Sequence, residues 1–166
     1  YTQTGANRQP LRYIVLTKKT LREITPIALK TLAELDVSRV DKKAMRVPHP
    51  YLDFQSIWVH WYSVYQKKQK DLLFHGAPNA LLIVSRTSNE LDGCFNAGHL
   101  ELMINALGLG ACLMGFGTFA FDQSPELKQK VGIGEGESVI FMMVFGHPRV
   151  KYLRTVNRRK VRYEII

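Results

Sequence analysis

Residues 98–116, with the sequence GHLELMINALGLGACLMGF, constrain the fold of this chain more than any other stretch. Apolar residues recur there, and just before it, at intervals of three to four, which places them on one face of a helix. They are Leu91, Phe95, Leu102, Ala106 and Leu107. Gly108 and Gly110 follow and predict the end of that helix.

The segment after this helix, residues 111–117, is almost entirely apolar or glycine, which is unusual for a surface loop. Glycine allows a ligand or another backbone to approach closely. The segment is therefore expected to be a loop that is buried or lies against a flat apolar ligand. A tight helix–loop–helix corner in an ordinary core explains the same residues, so both interpretations stand at this point.

The rest of the chain predicts alternating strands and helices. Apolar or β-branched runs predict strands over residues 11–17, 80–85 and 139–145, with a further strand over 161–166. Helices are expected over residues 21–35, capped by Thr20, over 54–71, and over 125–131, capped by Ser124. Ser88 or Asn89 is expected to cap the central helix. Because the elements do not form a clean βαβ repeat, the pattern favours an α+β fold.

Length and composition fit one globular domain over residues 1–166, at 46% hydrophobic content. No uninterrupted apolar run is long enough for a membrane span, and no secretory leader is visible. Cys94 and Cys112 lack the spacing of a zinc or iron–sulfur site, so no metal is expected. They are interpreted as small core residues of a reduced, cytoplasmic protein.

The formal charge of +9 is concentrated near the end of the chain. Residues 149–162 contain seven Lys or Arg and no acid, whereas the rest of the chain has 16 basic and 14 acidic residues. Such a short segment fits a phosphate or small-anion site, an acidic partner or a solvated tail. Few aromatic residues are interleaved with it, which argues against a nucleic-acid-binding face.

An aromatic group occupies the predicted helix over residues 54–71. Its members are Phe54, Trp58, Trp61 and Tyr62. Such a stripe is typical of core packing, but it also suits the wall of a pocket for a flat substrate. A polar turn, a glycine-rich apolar segment and a basic tail together suit a ligand with a flat ring, polar ring edges and a phosphate.

Five ordered motifs resemble the FMN-dependent nitroreductases. TGANRQP (4–10) is similar to the family's polar turn, GAPNALLIV (76–84) to its G-A-P strand, and LELMINALGLGACLMGF (100–116) to its long helix and following loop. Residues 127–148 resemble its helix, glycine turn, apolar strand and terminal G-x-P. The tail KYLRTVNRRKVRYE is similar to that of members in which the domain follows a ferredoxin domain. The resemblance covers nearly the whole chain apart from about residues 36–72. In the family, this region is a variable segment that covers the substrate.

The resemblance implies a mostly antiparallel sheet flanked by helices, and a homodimer with two FMN sites at the subunit interface. It implies that a polar turn, often from the partner subunit, lines the edge of the flavin ring. Backbone N–H groups after the central helix would face the ring, and basic tail residues would contact the phosphate or ribityl chain. The residues that match these roles are Thr4, Gly5, Asn7 and Gln9, then Met114 and Gly115, and finally Arg154, Arg158 and Arg159.

The resemblance also implies a ping-pong oxidoreductase in which the flavin carries the chemistry and no protein side chain is catalytic. The expected electron donor is NAD(P)H or reduced ferredoxin, and the expected acceptor is a small nitroaromatic or quinone. Family members begin with a helix and an arginine-rich segment, so this chain is expected to be incomplete at its N-terminus. Two alternatives are a flavin-storage protein without turnover and a basic module that binds acidic partners through residues 149–162.

Overall fold

The computed structural model describes residues 2–36, 54–86, 89–150, 153, 157 and 159–165. In chain order, these residues form β1 (Arg12–Thr17), α1 (Lys18–Ala33), α2 (Gln55–Lys68), β2 (Asn79–Ser85), α3 (Glu90–Ala106), β3 (Gly110–Leu113), α4 (Gly115–Gln123), α5 (Pro125–Lys130) and β4 (Ser138–Gly146). A short 3-10 turn, Gly5–Asn7, precedes β1. Within these ranges no helix is both long and apolar enough to cross a membrane.

The four strands form one antiparallel sheet in the order β1-β2-β4-β3. Ile14 of β1 lies opposite Leu82 of β2, which lies opposite Met142 of β4. The two apolar runs in β2 and β4 occupy the centre, where both of their faces are covered. The α+β fold with an antiparallel sheet and flanking helices is thus confirmed, and the three predicted internal strands match within one residue at each end.

The first face of the sheet carries a complete core. Helices α1, α2, α4 and α5 supply fully buried side chains such as Leu29, Trp58, Phe119 and Leu127, which pack on Leu82, Met142 and their neighbours. Continuous burial of this kind removes large apolar surfaces from water and is the main source of stability.

The second face is covered by a single helix, α3. Its inner side contributes Ala97 and Ile104, which pack with Ile83 and Met143 of the sheet. Gly93 allows α3 to lie close to β4, because a Cβ at that position would stand only 2.3 Å from Cγ2 of Ile140. The helix therefore needs a glycine at this contact.

The outer side of α3 is apolar and exposed. Four of the five residues predicted to share one helical face lie on α3 and share it, but that face points away from the sheet; Leu107 follows the last residue of the helix. Leu91, Phe95, Leu102 and Leu107 are 58–71% exposed, and Ala106 is exposed as well. From β1, Tyr13 and Val15 add further exposed apolar surface on the α3 side of the sheet. We call this set the α3 outer face.

Several local predictions are corrected by the structure. The segment predicted as a glycine-rich loop is the edge strand β3 followed directly by the first turn of α4, because residues 110–113 pair with β4. Cys94 and Cys112 are exposed rather than core residues. Helix α1 begins at Lys18 and is capped by Thr17, whose Oγ1 accepts from Thr20 N. No strand forms over residues 161–165 of the described tail.

Other predicted features are confirmed. Ser124 caps α5 by accepting a hydrogen bond from Leu127 N at 3.2 Å, with Pro125 in the first helical position. Gly108, at φ +76°, follows the end of α3 as predicted. Asn89 occupies the N-cap position of α3 without a side-chain cap bond. Ser88 lies outside the described residues, as do residues 37–53 of the predicted variable segment 36–72.

Candidate functional site

The predicted polar turn is a compact unit held by its own hydrogen bonds. Asn7 N donates to the carbonyl of Thr4 at 2.9 Å, and Gln9 N donates to Thr4 Oγ1 at 3.0 Å. Gln9 Nε2 also donates to Asn7 Oδ1 at 3.0 Å. The structure thus brings together all four turn residues that the sequence singled out.

The same turn holds an unusual concentration of strained backbone. Ala6, Asn7 and Gln9 have φ values of 51°, 53° and 50°, in the left-handed region that disfavours side chains. Each such residue costs roughly 1–2 kcal/mol unless surrounding contacts hold it. Three of the four residues 6–9 thus have a positive φ, and all three are exposed. Clusters of strained backbone of this kind occur mainly at functional sites, where the surrounding structure keeps them in place.

The turn is attached to α3. Gly5 N donates to Asp92 Oδ1 at 3.0 Å, and Thr2 Oγ1 lies 3.3 Å from Nδ1 of His99. Between these contacts lies Asn96, which is buried and accepts a hydrogen bond from the Tyr13 hydroxyl. Partial burial of that hydroxyl raises the pKa of Tyr13. Sequence reasoning missed this attachment, because an acid in the first turn of a helix is already favoured by the helix dipole.

The second predicted group lies where β3 runs into α4. Met114 is buried, and its N–H donates to the carbonyl of Met142 at 2.8 Å. Thr118 Oγ1 donates to Met114 O at 3.1 Å and accepts from Met142 N at 3.0 Å, which fixes this junction. The N–H of Gly115 is the first of α4 and has no helical partner. Of the two predicted residues, therefore, only Gly115 has an N–H that can face a ligand.

An aromatic cluster surrounds Phe116, the residue after Gly115. Phe54, Trp58 and Trp61 have ring centroids 5.4, 5.5 and 5.7 Å from that of Phe116. Trp58 is completely buried, which is the core-packing role, whereas Phe54 and Trp61 are half-buried. Tyr62 instead lines a separate groove with Pro26 and Lys30. Phe116 was not predicted as a pocket residue from the sequence, although it directly follows the predicted N–H donors Met114 and Gly115.

The polar turn and Gly115 adjoin the two different edge strands of the sheet. The turn leads into β1, and Gly115 follows β3. Three interstrand spacings separate these strands, which amounts to about 14 Å. The turn itself is bonded to Asp92, whose neighbour Gly93 lies against Ile140 of β4.

Two grooves of the described part of the chain lie elsewhere. A groove of about 680 Å³ lies between the start of α1 and the end of α2, lined by Lys18, Arg22, Tyr65, Lys70 and His75 among others. Neither this groove nor the one that contains Tyr62 includes the polar turn or Gly115. No group of three His, Cys, Asp or Glu that could hold a metal occurs among the described residues.

The basic tail is described only in part. Arg154 and Arg158 lie outside the described residues. Arg159 is exposed, and the structure brings it to neither of the two groups above through a hydrogen bond or ion pair. The predicted phosphate contacts therefore stay a prediction.

Comparison with known proteins identifies the family. The family model for the nitroreductase family matches residues 4–147. No curated protein matches the chain. A nitroreductase with bound FMN from Desulfitobacterium hafniense has 21% identity and a TM-score of 0.66, with 98% of this chain and 79% of that chain covered. A nitroreductase with bound FMN from Bacteroides fragilis has 14% identity and a TM-score of 0.73, with coverage of 100% and 81%.

Other similar structures carry different small molecules. An FMN-dependent nitroreductase from Mycobacterium smegmatis, in complex with NADPH, has 17% identity and a TM-score of 0.60, with 98% of this chain and 83% of that chain covered. An iodotyrosine deiodinase bound to FMN and 3-iodo-L-tyrosine has 18% identity and a TM-score of 0.59, with coverage of 99% and 82%. Since the family model covers most of its length and the fold agrees, this chain belongs to the nitroreductase family.

Proposed function

We propose that this protein is an FMN-dependent oxidoreductase whose flavin site is completed by a second copy of the chain. The observation that carries the proposal is a pair of groups beside different edge strands: a strained polar turn before β1, and after β3 the Gly115 N–H, which has no helical partner and lies next to the aromatic residue Phe116. FMN is bound in similar structures from D. hafniense and B. fragilis, which supports the choice of cofactor.

The residues at the two edges fit the parts of FMN. The side chains of Thr4, Asn7 and Gln9 offer the donors and acceptors that the polar edge of an isoalloxazine ring requires. Gly115 N–H, at the positive end of α4, suits the negative charge that the ring gains on reduction. Among the tail residues, Arg154, Arg158 and Arg159 are the proposed phosphate or ribityl contacts.

The α3 outer face supports the homodimer. Its exposed apolar residues lie on the helix that holds the polar turn, so a second copy docked there would sit beside that turn. Exposed apolar patches of this kind mark interaction surfaces. In a symmetric pair the same face serves both chains, and the turn of one copy approaches the Gly115 edge of the other.

The bound flavin would supply the electron transfer, and the protein residues would position the ring and the substrates. We propose NAD(P)H as donor, supported by the NADPH complex of the M. smegmatis relative, with reduced ferredoxin as the other candidate. A small nitroaromatic or quinone would then occupy the same place in a ping-pong cycle. Phe54 and Trp61, beside Phe116, are the proposed pocket walls for that acceptor; Tyr62 and the buried Trp58 would contribute only through their packing. We expect this chemistry in the cytoplasm.

The test is FMN titration of the purified protein, followed by anaerobic addition of NADH or NADPH. We expect flavin fluorescence to be quenched on binding and the flavin absorbance to bleach with one of the nucleotides. Bound flavin that bleaches with reduced ferredoxin alone would identify that donor. Bound flavin that no donor reduces would indicate storage. Absence of binding would contradict the proposal and favour the basic-module alternative, which predicts salt-sensitive binding of anionic polymers instead.

One variant tests the role of Gly115 in the same assay. Gly115→Pro removes the N–H and is tolerated in the first turn of a helix, but it also adds a ring; Gly115→Ala, which keeps the N–H, is the control for added bulk and should bind FMN more tightly than Gly115→Pro. For Gly115→Pro, we expect FMN binding to weaken by about tenfold, the order lost with one hydrogen bond to a charged group. Unchanged affinity, with the variant folded by circular dichroism, would show that this N–H does not face the flavin.

A further inference from the structure

The polar contacts that the N-terminal segment and β1 make with α3 fall on one side of that helix. Asp92, Asn96 and His99 are four and three residues apart, so they line one helical stripe. They contact Gly5, Tyr13 and Thr2, respectively. The segment that precedes β1 therefore follows a polar stripe of α3, and Tyr13 of β1 contacts the same stripe through its hydroxyl.

Asp92 contributes the contact closest to the strained residues. Its Oδ1 accepts from Gly5 N at 3.0 Å, and Gly5 begins the 3-10 turn that contains Ala6 and Asn7. The other hydrogen bonds of the turn join residues within the turn itself. Among the residues that the structure describes, Asp92 is the one outside the turn that bonds to it, and it lies on a helix 87 residues away in sequence.

We propose that Asp92 is a positioning residue for the flavin: its carboxylate holds the polar turn in the strained geometry that the cofactor needs. This inference rests on the proposed function. Unanchored, the positive-φ residues would relax toward ordinary backbone conformations, and the turn would have to be reordered when FMN binds. Because α3 also carries the α3 outer face, Asp92 ties the flavin-contacting turn to the helix on which the second copy would dock.

The first measurement needs no flavin. Arg8 is an exposed trypsin site inside the turn, so its cleavage rate reports how firmly the turn is held. In the flavin-free protein, Asp92→Ala should speed cleavage after Arg8 by about tenfold, whereas Asp92→Asn should change the rate by less than about threefold. Both variants lose the charge at the start of α3, but only asparagine keeps an oxygen that can accept from Gly5 N.

The second measurement is FMN affinity by flavin fluorescence. Asp92→Ala should raise the Kd by about tenfold, and Asp92→Asn should restore most of the affinity. Glu101→Ala is the matched control, since it removes an exposed carboxylate from the same helix without touching the N-terminal segment, and it should leave both readouts unchanged. Equal effects of Asp92→Ala and Glu101→Ala would overturn the proposal.

A further variant separates anchoring from general stability. Gly5→Pro removes the donor, and Thr4 already has the extended backbone that precedes proline readily. In that background, Asp92→Ala should change the Kd by less than about twofold. A full tenfold effect there would show that Asp92 acts by another route. The wild-type protein could fail to bind FMN while Asp92→Ala is still cleaved faster by trypsin. That result would contradict both the proposed function and the flavin role of Asp92, and Asp92 would then serve only to anchor the turn.

Discussion

The two faces of the sheet differ in how fully one chain covers them. On the first face, four helices bury a continuous core that includes Phe119 and Trp58. On the second, α3 covers the sheet alone and turns Phe95 and Leu102 outward. The same kinds of side chain thus stabilise the chain on one face and are available to a partner on the other. Apolar content alone therefore does not distinguish a fold core from a surface that a partner could cover.

Truncating one phenylalanine on each face should have very different consequences, and the greater loss of stability is expected on the first face. Phe119→Ala should lower the free energy of unfolding by about 3–5 kcal/mol, because it leaves a cavity in a closed core. Phe95→Ala removes the same group from the α3 outer face, so its cost should be small in dilute protein and should grow with protein concentration as the pair forms.

Urea unfolding at two protein concentrations measures both effects. A concentration-independent loss of several kcal/mol for Phe95→Ala would show that this side chain stabilises the single chain, and the two faces would not differ as described.

An intermediate effect is expected from placing a charge on the α3 outer face. Leu102→Glu should weaken self-association by at least about a hundredfold, because a carboxylate would be buried against apolar side chains. Val59→Glu is the control, since Val59 is also exposed but lies on α2, over the first face. Analytical ultracentrifugation measures the association. If both variants stay associated like the wild type, the α3 outer face is not the interface.

The smallest effect concerns a contact between the start of β1 and the turn before β4. Arg12 donates through Nε and Nη2 to the carboxylate of Glu137, with Nη2 2.5 Å from Oε2, and Gly134 N donates to the same carboxylate. The hydrogen bond from Arg12, followed by that from Gly134, lowers the Glu137 pKa. At neutral pH, Glu137→Gln should cost about 1 kcal/mol, after allowance for solvent screening of the half-exposed Arg12.

The pH dependence of that cost follows from the direction of the pKa shift. A lowered pKa in the folded state means that the ionised carboxylate stabilises the fold above its unfolded-state pKa, near 4.5. The contribution is lost as the pH falls below that value and through the folded pKa. Chemical unfolding at pH 7 and pH 3 should therefore show a smaller gap between wild type and Glu137→Gln at the lower pH. A gap that widens on acidification would contradict this assignment.

The sequence predicted elements whose signals are local. The strand β2 is a continuous apolar run and α5 has Ser124 and Pro125 at its start, so both could be assigned without knowledge of their neighbours. Strand β3 was missed because GACL has no strand signal of its own, and it is extended through pairing with β4. The capping of α1 was misplaced by three residues, since Thr17 and Thr20 are both good caps.

The site could be predicted in its parts but not in its arrangement. Motif resemblance pointed to the polar turn and to Met114 and Gly115, yet only coordinates show that the Met114 N–H is already bonded to Met142. Helical periodicity placed Phe95 and Leu102 on one face without giving its direction, because spacing carries no information on which side the sheet lies. Asp92 gave no signal, since its partner is a backbone N–H far away in sequence.

The two tryptophans give the protein an internal optical reporter. Trp58 is fully buried, and its indole Nε1 has no hydrogen-bond partner among the described residues, so its emission should be shifted to the blue. Trp61 is half-buried and packs against the same Phe116 ring as Trp58. Indole emission overlaps flavin absorption, and both rings lie next to the aromatic side of the proposed site. Occupancy of that site can therefore be followed by energy transfer from tryptophan, with no added label.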